Sequence, residues 1–346
     1  MRACQASGRF ERAMYKTVTC DIVIPTRNRP SALARCLGGL LAQSETSFRV
    51  IVVDDCSDRP LDSVVSAPEF AALDLTLHRL RTPSGPASAR NAGAALARAE
   101  FLMFLDDDVR PDWHLVRAHL ETVRKPDPEG RPVASCGPFL EPTDWKPTPW
   151  NKWEARRAQQ EADNVVRGVW PVTWRTFHTG NNCLPTALFR EVGGFDEEFK
   201  RAEDDELALR LTQRGCVFRF QPAAMVWHYP VRTRQAWLRI PRSYAVYYYR
   251  LDQLHPDERF MEKHKSQRAS QHLAVRALRQ VVGRRPLTRP AVHATVGVAQ
   301  ILFRAGLVRL SMTALSAAYD LSYTEALRRI EKHGSARSAD AIVSGT

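Results

Sequence analysis

No apolar run in the 346-residue sequence reaches the roughly 18 residues that a membrane-spanning helix requires. The opening stretch MRACQASGRFERAMYK also lacks the apolar core of a secretory signal, so the expected location is the cytoplasm. Cysteine is scarce and unpatterned. The seven residues Cys4, Cys20, Cys36, Cys56, Cys136, Cys183 and Cys216 are odd in number and contain no C-x-x-C, which argues against a disulfide framework or a zinc site and fits reduced core thiols. Internal repeats and low-complexity tracts are missing. No glycine-rich, phosphate-cradling loop follows the first apolar run, which ends in PTRNRP.

Charge is plentiful but unevenly placed. The net charge of +12 arises entirely after residue 230: residues 231–346 hold 20 Lys+Arg against 8 Asp+Glu, and the first 230 hold 30 of each. The basic third is thus set apart electrostatically. A reading as a nucleic-acid binder would leave the acidic motifs of the first 230 residues without a role, because carboxylates repel phosphate unless a metal intervenes, so no nucleic-acid partner is expected.

The apolar runs CDIVIPTRN, FRVIVVDDCSD, LDLTLHRL and FLMFLDDD alternate with helical periodicity such as Leu33, Leu37, Leu40 and Leu41. Continuous rather than alternating apolar strands are covered on both faces, as in a parallel sheet wound with helices. The expected class is α/β, with two further strands at Val217–Phe220 and Ala223–Trp227. Ligands of such sheets bind at the carboxyl ends of the strands, and three of those ends read PTRNR, DDCSD and DDDVRP. Residues 140–180 break the pattern with Pro142, Pro147, Pro149 and five of the eight tryptophans, Trp145, Trp150, Trp153, Trp170 and Trp174. These indoles serve either as packing or as platforms for sugar rings, and the reading leans to platforms.

Three adjacent carboxylates, Asp106, Asp107 and Asp108, repel one another unless something positive offsets them. The bland account is a solvated loop with one Asp capping a helix. The sharper one is a D-x-D pair, Asp106 and Asp108, offering oxygen ligands to Mg²⁺ or Mn²⁺ while leaving positions for phosphate. RAEDDELALRL reads as a helix start in which Glu203, Asp204 or Asp205 could cap, yet four acids exceed what a cap needs. A carboxylate beside a metal–diphosphate site could act as general base. Gly180, Asn181 and Asn182 mark a place where backbone can approach a ligand. Gly193 and Gly194 read as a helix terminus. His228 is either a satisfied structural residue or a metal ligand.

Taken together, VIPTRNRPSALARCLGGLLAQ, VIVVDDCSD, GPASARNAGAALARAEFLMFLDDD, TGNNCLPTALFREVGGFDEEF and EDDELALRL resemble, in order, the motifs of family 2 glycosyltransferases of the GT-A fold, over roughly residues 18–230. The resemblance implies a Rossmann-like nucleotide-diphospho-sugar transferase domain at 17–230. A flexible N-terminus is expected at 1–16, a basic, mostly α-helical appendage at 231–335 and a flexible tail at 336–346. It implies inverting transfer of a sugar from a nucleotide-sugar donor, UDP by default, to a hydroxyl acceptor: a glycan, a lipid-linked molecule or a small molecule.

By position, Pro25, Thr26, Arg27 and Asn28 would line the nucleotide pocket, and Asp54 or Asp55 would contact base or ribose. Arg90, Asn91, Asn181, Asn182 and Glu203 would lie near the donor. Asp106 and Asp108 would bind the diphosphate through Mn²⁺ or Mg²⁺, with His228 as an extra metal ligand, and Asp107 would lie beside them at the donor. Asp204 would be the base. A third Asp in DDD departs from the family pattern and leaves the nearest metal contact open. A sugar-phosphate nucleotidyltransferase is the nearest alternative and lacks its glycine loop here. The tail, with Arg232, Arg234, Arg239, Arg242 and Arg250 and a stripe of Val292, Val296, Ala299, Phe303, Leu307 and Leu310, is read as either an interfacial helix on an anionic membrane or a packed helix, a lid or a homodimer contact.

Overall fold

The computed structural model describes residues 18–256 and 288–333, so the flexible segments expected at 1–16 and 336–346 lie outside the described residues. Its strands are β1 (Cys20–Thr26), β2 (Phe48–Asp54), β3 (Leu75–Arg79), β4 (Phe101–Leu105), β5 (Val109–Pro111), β6 (Val133–Cys136), β7 (Phe139–Leu140), β8 (Asn181–Pro185), β9 (Val217–Phe220) and β10 (Val226–His228). The helices are α1 (Pro30–Leu41), α2 (Asp62–Val65), α3 (Pro86–Leu96), α4 (Leu115–Arg124), α5 (Pro149–Val166), α6 (Thr186–Glu191), α7 (Glu203–Gln213), α8 (Arg234–Leu254), α9 (Thr288–Arg304) and α10 (Val308–His333).

The central sheet has the order β3-β2-β1-β4-β8-β6-β9. Its first four strands are parallel, as the apolar runs imply. Beyond them the sheet is mixed, because β8 runs antiparallel to both β4 and β6. Side chains of the parallel strands alternate between two cores: Ile22, Ile24, Val50, Val52 and Met103 face α1 and α4, whereas Val23, Ile51, Val53 and Phe104 face α3 and α7. That double cover is why these strands read as unbroken apolar runs. Gly93 lets α3 lie close on the sheet, since a Cβ there would sit 2.4 Å from Val23 Cγ1.

A small second sheet, β5-β10-β7, stands at the carboxyl end of β4. Here β10 begins three residues later than the apolar pattern suggests, because Ala224 N closes a turn onto Gln221 O. Three of the five tryptophans of the insert are packing residues. Trp150 and Trp153 join Trp237, Val292, Val296, Met312 and Leu315 in a core shared by α5, α8, α9 and α10, and Trp174 enters the core above the sheet. Trp170 is the one exposed indole of that group. The platform expectation therefore does not hold for Trp150, Trp153 and Trp174; burying so much apolar area is what ties the C-terminal helices to α5. Among the described residues no helix is long and apolar enough to cross a membrane.

Candidate active site

Three loops meet at the carboxyl ends of β1, β2 and β4. After β1, Asn28 takes a left-handed conformation (φ 56°) and ties the first loop to the second: its N–H donates to Ser57 Oγ at 2.8 Å, and its Oδ1 accepts from Asp58 N at 2.8 Å. Asparagine tolerates this backbone region better than most residues. Arg27 and Asn28 are exposed, while Thr26 points inward and donates to Asp107 Oδ2 at 2.7 Å. A cavity of about 400 Å³ beside Asn28 is lined by Asp58, Arg59, Leu61 and Ser63.

The two acids after β2 are largely committed to the protein. Asp54 is wholly buried and accepts from Ser57 N and Arg79, each at 2.9 Å. Its side chain acts as a strut between β3 and the loop after β2, and Asp55 is the more accessible of the two acids expected at the nucleoside. Asp55 accepts from Ser84 N at 2.7 Å and Gly85 N at 3.0 Å, so it fixes the start of α3 at the rim of the cleft.

The mutual repulsion of the acidic run is met by cations supplied from elsewhere in the chain. Arg29 binds Asp107 at 2.8 Å and Asp108 at 3.3 Å. Arg90 binds Asp106 at 2.7 Å. His228 Nε2 lies 3.5 Å from Asp108 Oδ1, brought there by the antiparallel pairing of β10 with β5. Burial raises the Asp107 carboxyl to about 7 despite Arg29. For Asp108 burial acts in the same direction, but His228 and Arg29 outweigh it and hold the carboxyl below its ordinary value. Burial disfavours the His228 cation, and the Asp108 carboxylate prevails to raise its pKa.

Asp107 is thus a buried hinge between Thr26 and Arg29, whereas Asp106 is a third exposed at its side chain and Asp108 faces an imidazole. Among the described residues no group of three or more His, Cys, Asp or Glu side chains gathers as a metal cage. An oxygen and a nitrogen facing each other do suit a cation that takes its remaining ligands from phosphate and water.

Arg90 also joins the two acidic motifs. Its second nitrogen donates to Glu203 Oε1 at 2.8 Å, so one buried guanidinium spans the DDD run and the start of α7. Asn91, the next residue on α3, faces elsewhere: it accepts from Phe195 N at 2.9 Å and donates to Phe195 O at 3.0 Å. It holds the turn before α7. Asn181 is likewise structural, buried with its Oδ1 at 2.9 Å from His119 Nε2 and its amide donating to Ala224 O at 2.9 Å. Asn182 donates to His178 O at 3.0 Å. Gly180 is required by proximity, since a Cβ there would sit 2.4 Å from Asp106 Oδ2.

Asp204 opens α7 beside Glu203 and Asp205. Burial disfavours its charge, but His178 reverses the balance and holds its carboxyl below the ordinary range. Burial and the adjacent Asp204 charge push Asp205 up to about 8. Sequence reasoning missed Arg29, His178, Glu161 and Arg232. Arg29 lies within a quoted motif, two residues after Arg27, and His178 directly precedes another, two residues before Gly180. Glu161 lies in a segment whose sequence carries no signal of the site, and Arg232 stood out only as one of the arginines of the basic tail.

The family model described as Glycosyl transferase family 2 matches residues 21–181. A pre-mycofactocin glycosyltransferase of Mycobacterium tuberculosis is 32% identical over 248 residues, covering 68% of this chain and 48% of that protein. Validoxylamine A glucosyltransferase of Streptomyces hygroscopicus subsp. jinggangensis is 32% identical over 218 residues, covering 56% of this chain and 51% of its own. The chain spans about half the length of these curated relatives. Among solved structures, a mannosyltransferase from Pyrobaculum calidifontis in complex with GDP-Man and Mn²⁺ has the same fold, with a TM-score of 0.56 at 20% identity over 90% of this chain and 88% of that one.

Proposed function

Because the chain carries a family 2 glycosyltransferase domain with the GT-A fold, we propose that it moves a sugar from a nucleoside-diphosphate donor to an acceptor hydroxyl with inversion at the anomeric carbon. The observation that carries this reading is the Arg90 bridge. By binding Asp106 and Glu203 at once, it puts the DDD corner and the start of α7 on one cleft.

In this reading the nucleoside lodges beside Pro25, Thr26, Arg27 and Asn28, at the cavity next to Asn28. Arg29 and Arg232, both close to Asp108, face the diphosphate. Asp108 and His228 would offer two ligands to Mn²⁺ or Mg²⁺, with the remaining ligands coming from phosphate and water, and the ion would stabilise the charge developing on the departing diphosphate. The mannosyltransferase of the same fold is in complex with Mn²⁺, which supports the choice of metal. Asp204 takes the proton of the acceptor hydroxyl as that oxygen attacks the face opposite the leaving group. Its ionised state at neutral pH suits a base, and the raised Asp205 is excluded from that role because it holds its proton there.

Calorimetry with UDP, GDP and dTDP, each in Mn²⁺ and in EDTA, tests the donor half. At least one should bind more tightly with Mn²⁺, and Asp108→Asn should weaken that metal-dependent binding by roughly tenfold or more. Equal binding in Mn²⁺ and EDTA for all three would remove the metal from the reading. The same assay separates a UDP enzyme from a GDP or dTDP enzyme.

A further inference from the structure

Helix α5 starts in the aromatic core shared with α9 and α10 and carries Glu161 to the mouth of the cleft, where Glu161 Oε1 lies 2.8 Å from His178 Nε2. The other ring nitrogen, Nδ1, lies 3.7 Å from Asp204 Oδ2. Asn182 and the backbone at Asn181 hold the His178 carbonyl, so the ring is anchored from β8 as well. We propose that His178, clamped between Glu161 and Asp204, is a positioning residue that aims the Asp204 carboxylate and makes the insert helix α5 part of the transfer apparatus. This rests on Asp204 being the base.

The charge around Asp204 explains why such a residue is needed. Glu203 and Asp205 flank it, and the Arg90 nitrogens that reach carboxylates are committed to Asp106 and Glu203. Arg175 and the Tyr248 hydroxyl act on Asp205, Arg201 on Glu203 and Arg157 on Glu161. Among the described residues His178 stands at ion-pair distance from Asp204, and Arg90 adds a smaller attraction from farther off. Burial disfavours the His178 charge, but Glu161 and Asp204 together hold its pKa well above the ordinary value. Hydrogen bonds of this kind often tighten only when substrate closes the site.

Two measurements on the full-length protein test the role. With ¹⁵N-histidine labelling, the resonance lost in His178→Gln identifies the residue. In the wild type it should remain imidazolium above pH 7, and Glu161→Gln or Asp204→Asn should lower its midpoint by about one unit or more. In the pH profile of kcat/KM for hydrolysis of UDP-glucose or GDP-mannose, His178→Gln should move the acid limb upward by roughly one to three units while the KM for donor stays near wild type. His178→Lys, which keeps a cation, should restore the limb part of the way.

A midpoint near the ordinary histidine value that neither variant shifts would overturn the proposal. So would a limb left in place by His178→Gln despite lowered stability. If His178→Gln fails to fold, the resonance lost in His178→Lys makes the assignment, and the midpoints of the wild type and of Glu161→Gln decide. Full turnover in Asp204→Asn would instead refute the base assignment itself, so the two failures are distinguishable.

A separate observation concerns the turn between α9 and α10. Val292, Val296 and Ala299 are buried as the stripe requires, but toward the turn Val298, Ile301, Leu307 and Leu310 are exposed at 51%, 68%, 49% and 56%. Arg304 and Arg309 stand exposed among them, and no acidic residue occurs from Thr288 to Tyr319. We infer that this hairpin tip docks on an anionic lipid surface. Apolar side chains would enter the headgroup boundary while the arginines reach phosphate.

The protein should sediment with vesicles of phosphatidylglycerol and not with pure phosphatidylcholine, and be released by salt. Arg304→Gln with Arg309→Gln should lower partitioning roughly tenfold or more, and Ile301→Asp with Leu310→Asp should abolish it. Absence of binding to phosphatidylglycerol at low salt would overturn the inference. A dimer dissolved by Ile301→Asp with Leu310→Asp would overturn it in favour of a second copy.

Discussion

Replacing Asp204 with Asn should lower kcat by roughly 10² to 10⁴, the usual loss when a general base is removed, while leaving donor affinity near wild type. The amide has nearly the shape of the carboxylate and its oxygen can still accept from Asp205 N, which donates to Asp204 Oδ1 at 3.0 Å, so the start of α7 is preserved. On the proposed assignment, what disappears is the acceptor for the hydroxyl proton, together with one of the two carboxylates beside His178. The measurement is steady-state turnover paired with calorimetry of nucleoside diphosphate binding. Equal loss of turnover and binding would reassign Asp204 to donor contact.

Arg90→Met should destabilise the fold by about 3 kcal/mol, the lower end of what breaking a buried ion pair costs, because the Asp106 side chain is a third exposed and partly rescued by water. Methionine replaces the stem but leaves Glu203 without its cation. Burial and the neighbouring Asp204 already raise the Glu203 pKa, and loss of Arg90 removes a contribution that lowers it. The sign follows: a buried, uncompensated carboxylate destabilises only while ionised, so the deficit should be largest at neutral pH and above. It should shrink as pH falls through the raised pKa of Glu203. Urea unfolding at pH 5 and pH 8 measures both parts. A deficit below about 1 kcal/mol at pH 8 would mean that the two acidic motifs are not joined through this residue.

Much of the fold was legible because its signals are local. Unbroken apolar runs specify strands covered on both sides, and their polar ends mark the cleft. The antiparallel β8 carried no such signal: NNCLP shows nothing of direction, which is set by where β8 enters between β4 and β6. The late start of β10 was hidden for a similar reason, since a turn hydrogen bond overrides the apolar character of Ala223 and Ala224.

The sequence by itself determined that two acidic strand ends, one basic strand end and an acidic helix start occur on one α/β frame, because residue type and spacing along a strand or turn are one-dimensional properties. Only the tertiary structure decided what each side chain faces. One step along α3 separates Arg90, which bridges Asp106 and Glu203, from Asn91, which holds a distant turn, because successive helix residues point about 100° apart. Arg29, Glu161, His178 and Arg232 reach the cleft from four segments whose proximity is created by sheet order and by the aromatic core beneath α5. Charge compensation in a buried site depends on distances of a few ångströms between such segments, and no pattern along the chain encodes those distances.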